Sequence, residues 1–243
     1  MNRPTSAARV SSGVPGIDDL VAGGFPLHRT VLICGDIGTG KTTLGLQFLM
    51  EGVTRGEAGV LVSVDEKPQH LIEDARRFGW DVSAAVGRQL LTVLDASPYF
   101  MALRAKSGLD ARHVASDLAQ QVRRASASRL VIDGVTALAP GGTTGAGVED
   151  FVRSLINSLE DNLGCTTVLI TRTSGGAHPS AVGPTAERLT AGVIELTMGP
   201  LAWEGGPVSR DLLIRKMRGA PVALGKHHFD IVDGRGIVLQ ASY

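Results

Sequence analysis

The feature that most constrains the fold is a glycine-rich octapeptide at residues 35–42, GDIGTGKT, which matches the pattern GxxxxGK[ST] without a gap. The apolar run before it, residues 29–34, is short and ended by glycine, as in a buried strand. From Lys41 to about Glu51, apolar residues recur at helical spacing. The sequence therefore predicts a strand, a tight loop and a helix in immediate succession.

The chemistry of this loop is that of a phosphate site. Its glycines can adopt positive φ angles, so the backbone N–H groups can turn inward in front of the helix N-terminus and hold an anion. Lys41 would reach the outer phosphates, and the Thr42 hydroxyl would ligate Mg²⁺. We expect ATP and Mg²⁺ to bind through the loop and the start of the helix: Asp36, Ile37, Gly38, Thr39, Gly40, Lys41, Thr42 and Thr43.

Strand and helix patterns alternate through about Thr171. Helices are predicted over 110–126 and 148–162, and beyond Thr171 short strands are separated by turns. Further runs are apolar on both faces, as in a parallel sheet covered by helices: 59–64, 90–94, 129–133 and 166–171. The predicted fold class is α/β, with a mainly parallel sheet flanked by helices and antiparallel strands at the C-terminal end.

The pattern fits one domain over residues 12–243, preceded by a polar, aperiodic arm at residues 1–11 that we expect to be flexible. A chain of 243 residues can bury a sizeable core without disulfides. Cys34 and Cys165 are far apart and lack CxxC spacing, which argues against a disulfide framework or a zinc knuckle. Because no run of about 18 apolar residues and no apolar leader is present, we expect a cytoplasmic protein with no membrane partner.

The charge balance argues against a protein that coats nucleic acid. The 24 Lys and Arg residues equal the 24 Asp and Glu residues, so no basic excess is available to neutralise phosphates. Two Trp, two Tyr and six Phe residues are too few to favour a base-stacking platform for single strands.

Carboxylates follow two of the predicted strands. Asp133 ends the run 129–133 and is placed to hold the metal, although it could also cap the turn at Gly134. Asp65 and Glu66 end the run 59–64 and could orient or deprotonate an attacking water. The alternative is that both acids complement the first turn of the next helix. Glu66 has the longer reach and is the first choice as base.

Beyond the phosphate loop, several segments of the chain resemble the KaiC-like branch of the RecA superfamily of ATPases. The resemblance covers about residues 12–240, in family order, and matches one family domain. The segments are GVPGID at 13–18 with GGFP at 23–26, VDEKP at 64–68, RLVIDGVT at 129–136, GVIEL at 192–196 and KMRG at 216–219. The resemblance implies a RecA-like P-loop core, with Asp65 and Glu66 as the family's paired catalytic acids and Asp133 on its metal-binding strand.

The resemblance also implies an ATP-driven homo-oligomer, usually a hexameric ring, with nucleotide bound between neighbouring subunits. Lys216 and Arg218 would then act as finger residues that reach the γ-phosphate held by the adjacent subunit. Their spacing along a predicted strand would put both side chains on one face. The alternative is a solvated basic edge strand.

The chain departs from the circadian-clock members of that family. Arg172 stands where those proteins have Glu, and Val182 and Gly183 stand near their autophosphorylated Ser-Thr pair, so autokinase activity is not expected. A single domain also lacks their two-tier architecture.

Three functions are compatible with these residues. The favoured hypothesis is an ATP-hydrolysing oligomer that acts as a regulatory or signalling switch with an unidentified protein partner. The alternative is a recombinase-like or recombination-mediator ATPase acting on DNA. It would need basic loops, whereas 139–147 and 173–186 contain no Lys and have only Arg172 at their margin. The third is a nucleotide-binding scaffold that does not hydrolyse ATP.

Overall fold

The computed structural model describes residues 8–98, 111–135, 145–172, 182–201, 208–222 and 225–240. Over these residues the chain forms a nine-stranded sheet in the order β11-β10-β9-β8-β3-β7-β6-β4-β5, together with a small two-stranded sheet, β1-β2. Strands β3 to β8 run parallel to one another. Beyond β8 the pairing is antiparallel: β9 pairs with β8, β10 with β9, and β11 with β10. The predicted fold class, a mainly parallel sheet with C-terminal antiparallel strands, is confirmed.

The strands are β1 (Arg9–Val10), β2 (Phe25–Pro26), β3 (Thr30–Gly35), β4 (Gly59–Ser63), β5 (Leu91–Asp95), β6 (Arg129–Asp133), β7 (Thr166–Arg172), β8 (Gly192–Leu201), β9 (Val208–Met217), β10 (Lys226–Val232) and β11 (Gly236–Leu239). The helices are α1 (Pro15–Leu20), α2 (Lys41–Thr54), α3 (Pro68–Arg77), α4 (Val82–Gly87), α5 (Ala111–Arg124), α6 (Gly145–Asn162) and α7 (Val182–Leu189).

Helices cover both faces of the parallel strands, which explains why those strands are apolar throughout. All six residues of β3 and all five of β4 are buried. On one face, α5, α6 and α7 close an apolar cluster with β3, β4 and β6. On the other face, α1 to α4 and the antiparallel strands close a second cluster. The two clusters form the core on either side of the inner parallel strands.

Two helices were not expected from the sequence. The six-residue α4 is capped by Asp81, whose Oδ1 accepts a hydrogen bond from the Ala84 N–H at 2.8 Å. Helix α7 occupies part of the segment 173–186 that was interpreted as a loop, and it includes Val182 and Gly183. The end of the other predicted loop, 139–147, belongs to α6, and residues 173–181 lie outside the described residues.

The described part of the predicted N-terminal arm is hydrogen-bonded to the domain. Arg9 and Val10 pair with β2, and the Ser11 hydroxyl and the Ser12 N–H both donate to the Asp18 carboxylate. Strand pairing and a half-buried acceptor therefore hold residues 8–11 against the domain. Within the described part of the chain, no helix is both long and apolar enough to cross a membrane.

Candidate nucleotide site

The loop after β3 has the backbone geometry of an anion site. Gly38 and Gly40 have φ angles of 79° and 97°, in the left-handed region that glycine tolerates best. Gly40 is the N-cap of α2, so the free N–H groups of the first helical turn face the loop. At Gly35, glycine is required for lack of space, since a Cβ atom there would lie 2.3 Å from the Leu196 carbonyl oxygen.

Lys41 folds back across this loop. Its Nζ donates to the Asp36 carbonyl at 2.6 Å, and the buried Thr39 donates its hydroxyl to the same oxygen at 2.9 Å. Burial lowers the pKa of the Lys41 amine, although Asp133 and Asp36 oppose that shift. The Lys41 amine thus lies inside the loop, where it can exchange the Asp36 carbonyl for a phosphate oxygen.

Thr42 and Asp133 converge at the end of the sheet. Thr42 Oγ1 donates to Asp133 Oδ2 at 2.7 Å. Burial raises the pKa of Asp133, and Asp65 adds to the shift, while the Thr42 hydrogen bond and Lys41 oppose it. A hydroxyl and a carboxylate at hydrogen-bond distance fit Mg²⁺, which takes few protein oxygens and completes its shell with water and phosphate. The described residues contain no cluster of three or more His, Cys, Asp or Glu side chains suited to a metal.

Asp65 and Glu66 lie beside this pair, between β4 and α3. The Ser63 hydroxyl donates to the Glu66 carbonyl and holds the turn, and Gly134 leaves room for the Asp65 carboxylate, which would lie 2.9 Å from a Cβ atom at residue 134. Burial raises the pKa of Glu66, and the charges of Asp74 and Asp133 raise it further. Both acids directly precede Lys67, the N-cap residue of α3, and neither lies in the first turn of that helix.

These groups line one cleft of about 550 Å³ at the carboxyl edge of the parallel strands. Seven of the predicted residues line it: Ile37, Gly38, Lys41, Thr42, Asp65, Glu66 and Asp133. Asp36, Thr39, Gly40 and Thr43 belong to the loop or to the first turn of α2 without lining the cleft.

The cleft has four lining residues that were not predicted as site residues: Gly134, Ile170, Thr171 and Arg172. The last three end β7, which pairs directly with β3 so that Arg172 lies opposite Gly35. In the sequence, Ile170, Thr171 and Arg172 are marked only by their place at the end of the apolar run 166–171. Only the strand order shows that β7, rather than β4, lies next to the phosphate loop.

Lys216 and Arg218 lie at the opposite edge of the sheet. Lys216 pairs with Val193, one residue from the Gly192–Val31 pair, so it is level with the start of β3. The phosphate loop begins at Gly35, four residues after Val31 along β3, and four residues of a strand span about 13 Å. The two cationic residues are therefore remote from the phosphate loop of their own chain.

Lys216 is bound to its own chain at that edge. Its Nζ donates to the Glu187 and Arg188 carbonyls at the end of α7, at 2.5 and 3.3 Å. Burial lowers the pKa of this amine, and Arg218 adds to the effect. A register shift at Arg215 interrupts β9, which ends at Met217, so Arg218 is the first residue of the following turn. The expectation that both residues share one regular strand face is therefore wrong, because Arg218 has left the strand.

Comparisons with known proteins agree with this geometry. The family described as "ATPase: KaiC" matches residues 10–242. A UPF0273 protein from Pyrococcus horikoshii is 33% identical over 95% of this chain and 93% of its own length, and one from Thermotoga maritima is 32% identical over 96% of each chain. The crystal structure of a KaiC-like protein from Pyrococcus horikoshii superposes with a TM-score of 0.80 and 30% identity, covering 97% of this chain and all of that one. The chain therefore belongs to the KaiC family of ATPases.

Proposed function

We propose that this protein binds Mg²⁺-ATP in the cleft and hydrolyses it in a homo-oligomer, in which each nucleotide lies between two subunits. The observation that carries the proposal is the Thr42–Asp133 hydrogen bond of 2.7 Å, which brings the two expected magnesium ligands together beside Lys41 and Glu66. The groups proposed to hold the phosphates and Mg²⁺ all come from one chain.

In this proposal the loop amides and Lys41 hold the phosphates, and Thr42 and Asp133 hold Mg²⁺. The ion would supply positive charge between the outer phosphates. Asp133 would hold the ion as a carboxylate, although burial raises the pKa of that carboxyl in the free protein. The Thr42 hydroxyl can then turn its proton away from Asp133 and offer the oxygen to the metal.

Glu66 is the proposed general base, with Asp65 beside it. A base works best when its pKa approaches the working pH, and burial moves the pKa of Glu66 in that direction. The Ser63–Glu66 hydrogen bond fixes the backbone from which the carboxylate extends into the cleft.

Lys216 and Arg218 are proposed to complete the site of the adjacent subunit. Their place at the opposite edge of the sheet excludes a role in their own cleft but suits a head-to-tail assembly, which closes into a ring when the rotation allows it. We propose a hexamer that acts as a regulatory switch for a protein partner in the cytoplasm. Binding to DNA, the alternative, finds no specific support in the fold or the comparisons.

Turnover of ATP by the purified protein with Mg²⁺ tests the core of the proposal. Glu66→Gln should lower turnover while ATP binding stays within about twofold of wild type. Glu73→Gln is the matched control, because Glu73 is an exposed glutamate on α3, away from the lining of the cleft. Equal and negligible turnover by the wild type and Glu66→Gln would contradict hydrolysis and favour a nucleotide-binding scaffold.

A further inference from the structure

The N-terminal segment contacts the turn after β9 through one side chain. Arg9 donates from Nη1 to the Gly24 carbonyl and from Nη2 to the Arg218 carbonyl, both at 3.0 Å. The second contact joins residues 209 positions apart in the sequence. A planar guanidinium suits this arrangement because it presents two donors in a fixed geometry, which a lysine cannot do.

Arg9 is itself held firmly. It pairs with Pro26 across the small sheet, and the Leu27 N–H donates to the Ala8 carbonyl at 2.9 Å. Gly24 has a φ angle of 116°, and a Cβ atom there would lie 2.2 Å from the Val10 carbonyl oxygen. Only glycine therefore lets this loop approach β1 closely enough to place its carbonyl at the Arg9 guanidinium.

The turn that receives Arg9 begins at Arg218, one of the proposed finger residues, two positions after the other, Lys216, in β9. The Arg218 N–H donates to the Ala191 carbonyl at 2.8 Å, and the Ala220 N–H donates to the Met217 carbonyl at 3.3 Å. The Arg218 carbonyl is the group that Arg9 holds, so both backbone polar groups of Arg218 are fixed. Gly219, with a φ angle of 73°, then reverses the chain.

Arg9 is not an ordinary surface arginine. Among the described residues, its Nε is one of the few buried side-chain nitrogen or oxygen atoms with no hydrogen-bond partner, and burial lowers the pKa of its guanidinium. Partial burial of this cation with one donor unmatched carries a desolvation cost. Against this cost stand the hydrogen bonds that Arg9 donates to the Gly24 and Arg218 carbonyls.

We propose that Arg9 is a positioning residue for catalysis in the adjacent subunit, because it fixes the turn that carries Arg218 and follows Lys216 directly at the end of β9. The inference rests on the proposed function, since only a finger role for Lys216 makes the position of this turn matter for turnover. Small displacements of a catalytic group lower rates steeply, because the reacting geometry is lost. Arg9 itself touches no substrate in this account.

Kinetics of Arg9 variants provide the first test. Arg9→Ala should lower kcat about tenfold, with the KM for ATP and the oligomer mass unchanged. Arg9→Lys can reach one carbonyl at a time and should recover part of that loss. Ser11→Ala is the matched control, because it removes a hydrogen bond of the same segment to Asp18 and leaves the Arg218 contact in place. Wild-type kcat in Arg9→Ala, or a kcat in Ser11→Ala reduced as much, would overturn the proposal.

The double variant shows whether Arg9 acts through the finger. If it does, Arg9→Ala added to Lys216→Ala should lower turnover no further than Lys216→Ala alone. If the two losses multiply, Arg9 acts independently of Lys216 and the proposal is wrong. Loss of assembly or of ATP affinity in Arg9→Ala would likewise overturn it, because Arg9 would then support the interface or the fold.

Hydrogen exchange separates this proposal from the proposed function. In Arg9→Ala, amides of residues 216–220 should exchange about tenfold faster than in wild type, while the amides of α2 keep their protection. Unchanged exchange at this turn would overturn the proposal whatever the kinetics show. Wild-type protein that does not hydrolyse ATP would contradict the proposed function and the catalytic consequence of Arg9 together, whereas faster exchange in Arg9→Ala would still establish that Arg9 holds the turn.

Discussion

The two ends of the parallel strands, the carboxyl edge and the opposite edge of the sheet, differ in whether one chain brings the proposed functional groups together. At the carboxyl edge, Lys41, Thr42, Glu66 and Asp133 meet in one cleft of a single chain. At the opposite edge, Lys216 donates to carbonyls of its own α7 and lies far from that cleft. In the proposed function, one chain holds the phosphates and Mg²⁺, whereas hydrolysis needs a second copy.

The largest effect is expected from Lys41→Ala. The substitution removes the cation inside the phosphate loop, so ATP affinity should fall by at least about 100-fold, and turnover should disappear with it. Titration with a fluorescent ATP analogue measures the affinity. Lys226→Ala, which removes an exposed lysine paired with Asp211, is the control and should bind normally. Normal binding by Lys41→Ala would show that the cleft does not hold the phosphates.

Lys216→Ala should affect turnover and leave binding intact. A finger cation that stabilises the transition state contributes roughly 10³-fold or more, so turnover should fall by about that factor, while ATP affinity changes by less than about twofold. Steady-state kinetics on the assembled oligomer, with its mass checked in solution, separates the two quantities. Turnover at the wild-type rate would contradict the finger assignment.

The pH profile of turnover should show a raised pKa for the base. Glu66 acts only when ionised, and burial raises its pKa above the ordinary value of 4.5. Turnover should therefore fall about tenfold per pH unit on the acid side, and this limb should begin at higher pH than for an ordinary glutamate. An acid limb unchanged in the residual activity of Glu66→Gln would assign the titration to another group.

The smallest effect is a gain in stability. Because the pKa of Asp133 is raised in the folded protein, its charge opposes folding at neutral pH. This cost begins to decline as the pH falls through the raised pKa and is gone below the ordinary value of 3.8. Asp133→Asn keeps an oxygen for Thr42 and should raise the free energy of unfolding by about 1 kcal/mol at pH 7 without nucleotide. Denaturant unfolding measures this difference, and a less stable variant would show that the carboxylate helps to hold the fold.

The carboxyl edge could be predicted from the sequence more completely than the opposite edge. The phosphate loop, Asp65, Glu66 and Asp133 each follow a short run that is apolar on both faces, and parallel strands bring such ends together. Arg172 could not be placed, because its position depends on β7 lying next to β3. The short helices α4 and α7 could not be predicted, because helices of six and eight residues have too few turns to show a helical period. In α7, Pro184 also lies near the start of the helix.

The contacts around Lys216 could not be predicted for a related reason. Its partners at the end of α7 lie 28 and 29 residues away, and Arg9 reaches the next turn from the other end of the chain. Local patterns do not encode contacts at that separation. The family resemblance supplied the expected finger residues, but the bulge at Arg215 and the end of β9 at Met217 required the structure.

A mixing experiment tests most directly the claim that two chains build each hydrolytic site. Glu66→Gln subunits keep the finger and lack the base, and Lys216→Ala subunits keep the base and lack the finger. Equal amounts should form rings in which about a quarter of the interfaces are complete, so turnover should rise to about a quarter of the wild-type rate. A mixture that exchanges subunits yet hydrolyses ATP no faster than the two variants separately would contradict the account.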